Sequence, residues 1–255
     1  MESGRIARVM GIVNVTPDSF SDGGKYFRPE EAVRRALNLI DDGADIIDIG
    51  AESTRPGSVP ISWEEEWSRL EPVLQGLSLR EIGKGAGKGS VPISVDTYHP
   101  ETARLAVRAG ARIINCVYPD PIDEMLAILD ENSQIELVMP ASAWGLSPKL
   151  QGLSPRIYID PMIGFGTTRE EDLELLRSVP ELARKARVLV GASRKRLVKK
   201  LTGEKVTGKN LGGNLGIAVW AAMNGASAVR VHDVRETVQA LKVIDAIAQP
   251  QCIPE

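Results

Sequence analysis

Three cations and three amides or carboxylates stand at the ends of apolar runs in this chain, and their types suggest one ligand. Arg55, Lys195 and Arg230 could hold an anion, and a guanidinium suits phosphate in a bidentate manner. Asp96, Asn115 and Asp160 could read a flat ring rich in N–H groups. Asn14 offers a neutral oxygen of the kind Mg²⁺ accepts while keeping waters and ligand phosphates around it. Glu52, Ser53, Thr54 and Arg55 follow the second apolar run, Ser193 and Arg194 precede Lys195, and His232 follows Arg230 by two positions. No HExxH motif or Cys/His cluster is present, so a zinc site is not expected. His99, followed by Pro100, reads as a surface residue.

These groups need a frame. Eight short runs rich in Val and Ile supply it: ARVMGIVNV, ADIIDIGA, PISVDT, RIINCV, IELVMPA, RIYIDPMI, RVLVGAS and AVRVHD. Their weak alternation fits strands covered on both faces. Amphipathic stretches separate most of them. PEEAVRRALNLIDDG has Pro in its first turn and Gly at its end, and PETARLAVRAG and NLGIAVWAAMNG are further helices. Eight strands alternating with helices predict an α/β fold, a TIM (β/α)8 barrel forming a single domain over residues 1–255. An open doubly wound sheet is the rival, but no GxGxxG follows the first strand. In a TIM barrel chemistry sits at the C-terminal ends of the strands, which is where the polar residues gather. Burying so many polar groups without partners would cost a few kcal/mol each.

Three connections are unusual. MGIVNVTPDSFSDGG passes from a core strand into a long polar loop with one aromatic, Phe20. LREIGKGAGKGSVP lacks the P-loop spacing and reads as a mobile surface insertion. SAWGLSPKLQGLSPR, with Pro148 and Pro155, leaves little room for a regular helix, so the barrel is expected to be irregular between strands five and six.

The chain has 255 residues, 43% hydrophobic and 25% charged, with formal net charge −3. That balance argues against general nucleic-acid binding. No apolar run approaches the ~20 residues that span a membrane, and the N-terminus lacks the apolar core of a secretion signal. Two cysteines, Cys116 and Cys252, are too few for a disulfide framework, and a cytoplasmic setting is expected.

Taken in order, MGIVNVTPDSFSDGG, GADIIDIGAESTRPG, ISVDT, GARIIN, GASRK and RVHDV resemble dihydropteroate synthase, over most of the chain. The resemblance implies a transferase of folate or related pterin biosynthesis. It would join 6-hydroxymethyl-7,8-dihydropterin diphosphate to p-aminobenzoate, or a substituted arylamine, and release diphosphate. It implies that Asn14 ligates Mg²⁺ on the leaving diphosphate, and that Arg55, Arg230 and His232 hold its oxygens. Asp96, Asn115, Asp160 and Lys195 would read the pterin, with Phe165 in the substrate site, and Thr54 and Ser193 would line the arylamine side. The catalytic set is then Asn14, Arg55, Lys195, Arg230 and His232. A homodimer is common in such enzymes. Several positions depart from the family pattern: Cys116 stands for an Asp, Pro140 for a His, and Met162, Ile163 and Thr167 for Gly, Phe and Lys. The departures surround the pterin pocket and leave the diphosphate end intact. YIDPMI is also similar to pterin-binding methyltransferases that use methyl-tetrahydrofolate, which makes such an enzyme one alternative and a non-catalytic pterin-binding protein another.

Overall fold

The computed structural model describes residues 5–16, 28–53, 58–78, 91–144, 149–206 and 208–248. Eight parallel strands close into a barrel in chain order. They are β1 (Arg8–Asn14), β2 (Ile46–Gly50), β3 (Ile93–Asp96), β4 (Ile113–Asn115), β5 (Glu136–Pro140), β6 (Ile157–Asp160), β7 (Arg187–Val190) and β8 (Ala228–Val231). β8 pairs with β1, with Arg8 opposite Ala228, and so closes the ring. The TIM-barrel expectation is met. The insertion at 79–90 and the loop at 17–27 lie outside the described residues.

Ten helices are described: α1 (Pro29–Asp41), α2 (Trp63–Ser78), α3 (Pro100–Arg108), α4 (Ile122–Glu131), α5 (Lys149–Leu153), α6 (Arg169–Arg177), α7 (Val179–Ala183), α8 (Arg196–Thr202), α9 (Leu211–Met223) and α10 (Val234–Ala248). α1 and α3 open on Pro29 and Pro100, whose missing N–H would be unpaired there anyway. α1 buries Ala32, Val33, Ala36 and Leu39, one stripe of its surface. The expected irregularity is found between β5 and β6. That crossover holds 3₁₀ turns at Ala141–Ala143 and Ser154–Arg156 and the five-residue α5 in place of a full helix. Among the described residues no helix is long and apolar enough to cross a membrane.

Alternation along each strand sorts the barrel interior into layers. The middle layer is apolar: Met10, Ile46, Ile113, Val138, Tyr158, Leu189 and Ala228 form one buried cluster. Each of its larger side chains contributes about 1.5–3 kcal/mol by leaving water. Below it, toward the N-terminal ends, Arg8 donates to the Tyr158 hydroxyl at 3.1 Å and Arg187 to Glu136 at 2.7 Å. The Arg187 guanidinium lies 4.1 Å from the Tyr158 ring centroid, so the barrel has an ionic floor. Two positions up from the apolar layer, the inward rows of β2, β4, β6 and β8 carry Asp48, Asn115, Asp160 and Arg230, which begin the rim.

His99 corrects one expectation. It is half-buried, at 19% side-chain exposure, with its ring 4.2 Å from Tyr98 and its Nε2 3.7 Å from Glu52. The turn from β3 into α3 is short, and it sets the imidazole between the Tyr98 ring and the Glu52 carboxylate.

Candidate active site

Register places Asn14, Gly50, Asp96 and Asn115 side by side on β1 to β4. Gly50 leaves space here, since a Cβ on it would lie 3.2 Å from the Asp96 Cβ. Arg230 reaches across the mouth into this group. Its Nη2 is 2.6 Å from an Asp48 oxygen and 2.8 Å from an Asp96 oxygen, and its Nε donates to Asp48 at 2.7 Å. Asn115 donates its amide to the same Asp48 oxygen at 3.2 Å. Burial pushes the Asp96 carboxyl up to about 7, opposed by Arg230 and reinforced by Asp48. The two carboxylates hold Arg230 above its ordinary range against the cost of burying it. Asp48 Oδ1 and Asn115 Oδ1 are buried with no hydrogen-bond partner. Buried acceptors of native proteins are usually paired, so these two suit an N–H-rich ligand.

A second group forms between β6 and β7. Asp160 accepts the Met162 backbone N–H at 2.7 Å, which fixes the start of the loop. Met162 is held at φ +66°, a left-handed conformation that suits glycine better. Lys195 donates to the Ile163 carbonyl, and its ammonium stands 4.3 Å from the Phe165 ring centroid. The loop passes so close that a Cβ on Gly164 would meet the Lys195 Cδ at 2.9 Å. Burial pushes Lys195 down to about 8, with Asp160 resisting. Burial likewise raises Asp160, with Lys195 the largest opposing influence.

The third group is Ser193 and His232. Ser193 Oγ lies 3.2 Å from His232 Nδ1 and accepts the His232 backbone N–H at 3.3 Å. Burial, then the charges of Arg194 and Arg230, push His232 down to about 4. At neutral pH the imidazole is uncharged and offers a hydrogen bond rather than a cation. Arg194 turns away to pair with Asp233, and its backbone N–H, at φ +60°, donates to Asn214 at 2.9 Å.

The structure therefore gathers Asn14, Asp96, Asn115, Asp160, Phe165, Ser193, Lys195, Arg230 and His232 at one end of the barrel. Thr54 and Arg55 lie outside the described residues. Among the cations expected to hold an anion, Arg230 is engaged by two carboxylates. Asp48, a partner that sequence reasoning missed, is the reason. Its signal was its place two residues before Gly50, on the same inward row of β2. Cys116 points its thiol to the Tyr118 carbonyl at 3.2 Å, and burial pushes it up to about 12, so it is inert.

Among the described residues no group of three or more His, Cys, Asp or Glu side chains could hold a metal ion. Asn14, half-buried at the end of β1, presents an amide. One neutral oxygen fits an ion that takes its other ligands from water and phosphate, as Mg²⁺ does, and fits no ion that demands a protein cage.

The family model described as "Pterin binding enzyme" matches residues 10–144 and 146–232. A dihydropteroate synthase of Staphylococcus haemolyticus is 35% identical over 263 residues, covering 95% of each chain. The solved dihydropteroate synthase of Xanthomonas albilineans with 4-aminobenzoic acid superposes with TM-score 0.82 at 36% identity, covering 97% of this chain and 94% of that one. The same enzyme in complex with 7,8-dihydropteroate gives TM-score 0.79 at 35% identity, covering 97% and 95%.

Proposed function

Because the chain belongs to the pterin-binding enzyme family, alongside dihydropteroate synthases, we propose that it joins a dihydropterin diphosphate to p-aminobenzoate or a similar arylamine, releasing diphosphate. The observation that carries this is the division of the rim into a ring-reading side and a Ser193–His232 side. Asp96, Asn115 and Asp160 accept from the ring's N–H groups, and Lys195 donates to its carbonyl. Arg230 orients Asp48 and Asp96 toward that ring and, one inward position below His232, borders the diphosphate end. Arg55, Arg230 and His232 are assigned to the diphosphate oxygens, with Ser193 holding the His232 imidazole in place. Thr54 and Ser193 border the arylamine. An aniline nitrogen is already a nucleophile, so the amine side needs no strong base.

Asn14 is the residue that would hold Mg²⁺. The ion, when bound, neutralises charge that builds on diphosphate as the C–O bond breaks. The support is the chemistry of the donor, a single amide at the rim.

A homodimer is proposed through α9 and α10, which pack together. α9 exposes Trp220 and Met223, and α10 exposes Val243 and Ile247, large apolar side chains on two helices that pack together. Trp220→Asp with Met223→Asp should shift the mass seen by light scattering to that of one chain. A cytoplasmic setting is proposed from the sparse cysteines alone.

The deciding experiment measures diphosphate release from the pterin diphosphate with and without p-aminobenzoate. Release that depends on the arylamine, and stops in excess EDTA, is expected. Binding of the pterin diphosphate without release would favour a non-catalytic protein. Methyl transfer from methyl-tetrahydrofolate would favour the methyltransferase alternative.

A further inference from the structure

Asp172, in the first turn of α6, is a carboxylate with only 1% exposure and takes part in none of the contacts assigned above. Its Oδ1 accepts the Gly164 backbone N–H at 2.7 Å and the hydroxyl of Thr167. Thr167 Oγ also accepts from Gly164 N at 3.1 Å, and the Thr167 carbonyl accepts from Arg196 at 2.6 Å. The β6–α6 loop is therefore tied at its middle to α6 and at its end to α8. This same loop supplies the Ile163 carbonyl and the Phe165 ring that hold the Lys195 ammonium. Gly164 is the pivot. It sits at φ +79°, and its backbone lies so near Lys195 that no side chain fits between them. Burying a carboxylate costs several kcal/mol unless it is paired or hydrogen-bonded, so its retention at this spot calls for a reason.

We propose that Asp172 is a positioning residue for Lys195: its buried carboxylate pins the loop whose Ile163 carbonyl and Phe165 ring clasp the ammonium. The proposal rests on the reading of Lys195 as the group that donates to the pterin carbonyl. Thr167, where the family pattern has Lys, belongs to the device, because its hydroxyl is one of the two donors that satisfy the Asp172 oxygen. Four charged groups act on Lys195. Asp160, Asp172 and Asp96 favour its charged form, while Arg230 disfavours it. Asp172 thus has two effects, one geometric and one electrostatic.

Two variants separate these effects. Asp172→Asn keeps an acceptor for Gly164 and removes the charge. Thr167→Ala keeps the charge and removes a donor at a half-buried position. Competitive acetylation of the full chain across pH, with Lys195 followed by mass spectrometry, reads the amine directly and needs no turnover. Asp172→Asn should lower the Lys195 titration midpoint by about half a pH unit or more. It should also raise the KM for the pterin diphosphate about tenfold, with the arylamine KM within about twofold. Thr167→Ala should raise the pterin KM with a smaller change in midpoint. If both variants keep the parent midpoint and the parent pterin KM, the proposal is wrong. It is also wrong if the midpoint moves while the pterin KM does not, since the loop then holds the amine without serving the site. Should Asp172→Asn fail to fold, the pterin KM of Thr167→Ala decides. A parent that turns over no pterin diphosphate defeats the functional reading instead, and the acetylation result then stands alone for the loop.

Discussion

Arg230 bridges Asp48 and Asp96 across the barrel mouth, with one guanidinium nitrogen 2.6 Å and 2.8 Å from the two carboxylates. Asp48 is fully buried. Arg230→Met leaves that carboxylate without its counter-charge, and breaking a buried pair by removing one partner costs about 3–5 kcal/mol. Chemical denaturation should show a loss of that size. Arg230→Lys should recover part of it, because an ammonium replaces the charge without the guanidinium's paired donors. A loss under about 1 kcal/mol in Arg230→Met would mean that water already screens the pair.

Asp96 predicts a pH dependence of stability. Its carboxyl titrates near 7 in the folded chain, above its ordinary value of 3.8, chiefly because it is buried. The native state therefore holds a proton through that window that the unfolded chain releases. This contribution is fully present below about 4 and is lost as pH rises through about 7. His232 runs the other way. Its folded value of about 4 lies below 6.5, so its contribution grows as pH rises between them. Asp96→Asn removes the first and keeps the second. The variant's unfolding free energy, followed from pH 4 to 8, should fall less or rise relative to the parent. Parallel curves would remove Asp96 from this role.

Diphosphate binding should charge His232. The imidazole is neutral at pH 6 in the free chain, and an anion beside it favours the imidazolium. Calorimetric titration of pterin diphosphate in buffers of different ionisation enthalpy should therefore show proton uptake near pH 6. His232→Gln should abolish it. Equal heats in all buffers would place the diphosphate elsewhere.

Met162 carries a local strain that glycine would relieve. Its φ of +66° costs a side-chain-bearing residue roughly 1–2 kcal/mol. Glycine instead costs about 0.5–1 kcal/mol through the unfolded chain. Met162→Gly is thus expected to hold or raise the thermal midpoint although it deletes a large side chain. A fall of several degrees would show that Met162 packing, not backbone conformation, governs the position.

Much of this was legible in the residues alone. The eight strands stood out because each is a short Val- and Ile-rich run, and the rim residues because they end those runs. What escaped was set by register and by the third dimension. Asp48 lies inside the apolar run IIDIG, and only strand pairing shows that it faces inward below Gly50. Without Asp48, Arg230 looked like a cation awaiting an anion. In the sequence Asp172 is one acid among several at the start of REEDLELL, and only the fold shows that its carboxylate holds the loop behind Lys195. The neutrality of His232 depends on burial and on Arg194 and Arg230, which no spacing reveals.

The apolar layer of Met10, Ile46, Ile113, Val138, Tyr158, Leu189 and Ala228 lies between the rim and the ionic floor. It makes the barrel a vessel with one open end. Whatever enters first sits deepest, and whatever enters last covers it. In the proposed reaction the covering arylamine leaves joined to the deeper pterin, so substrates and products share the one mouth.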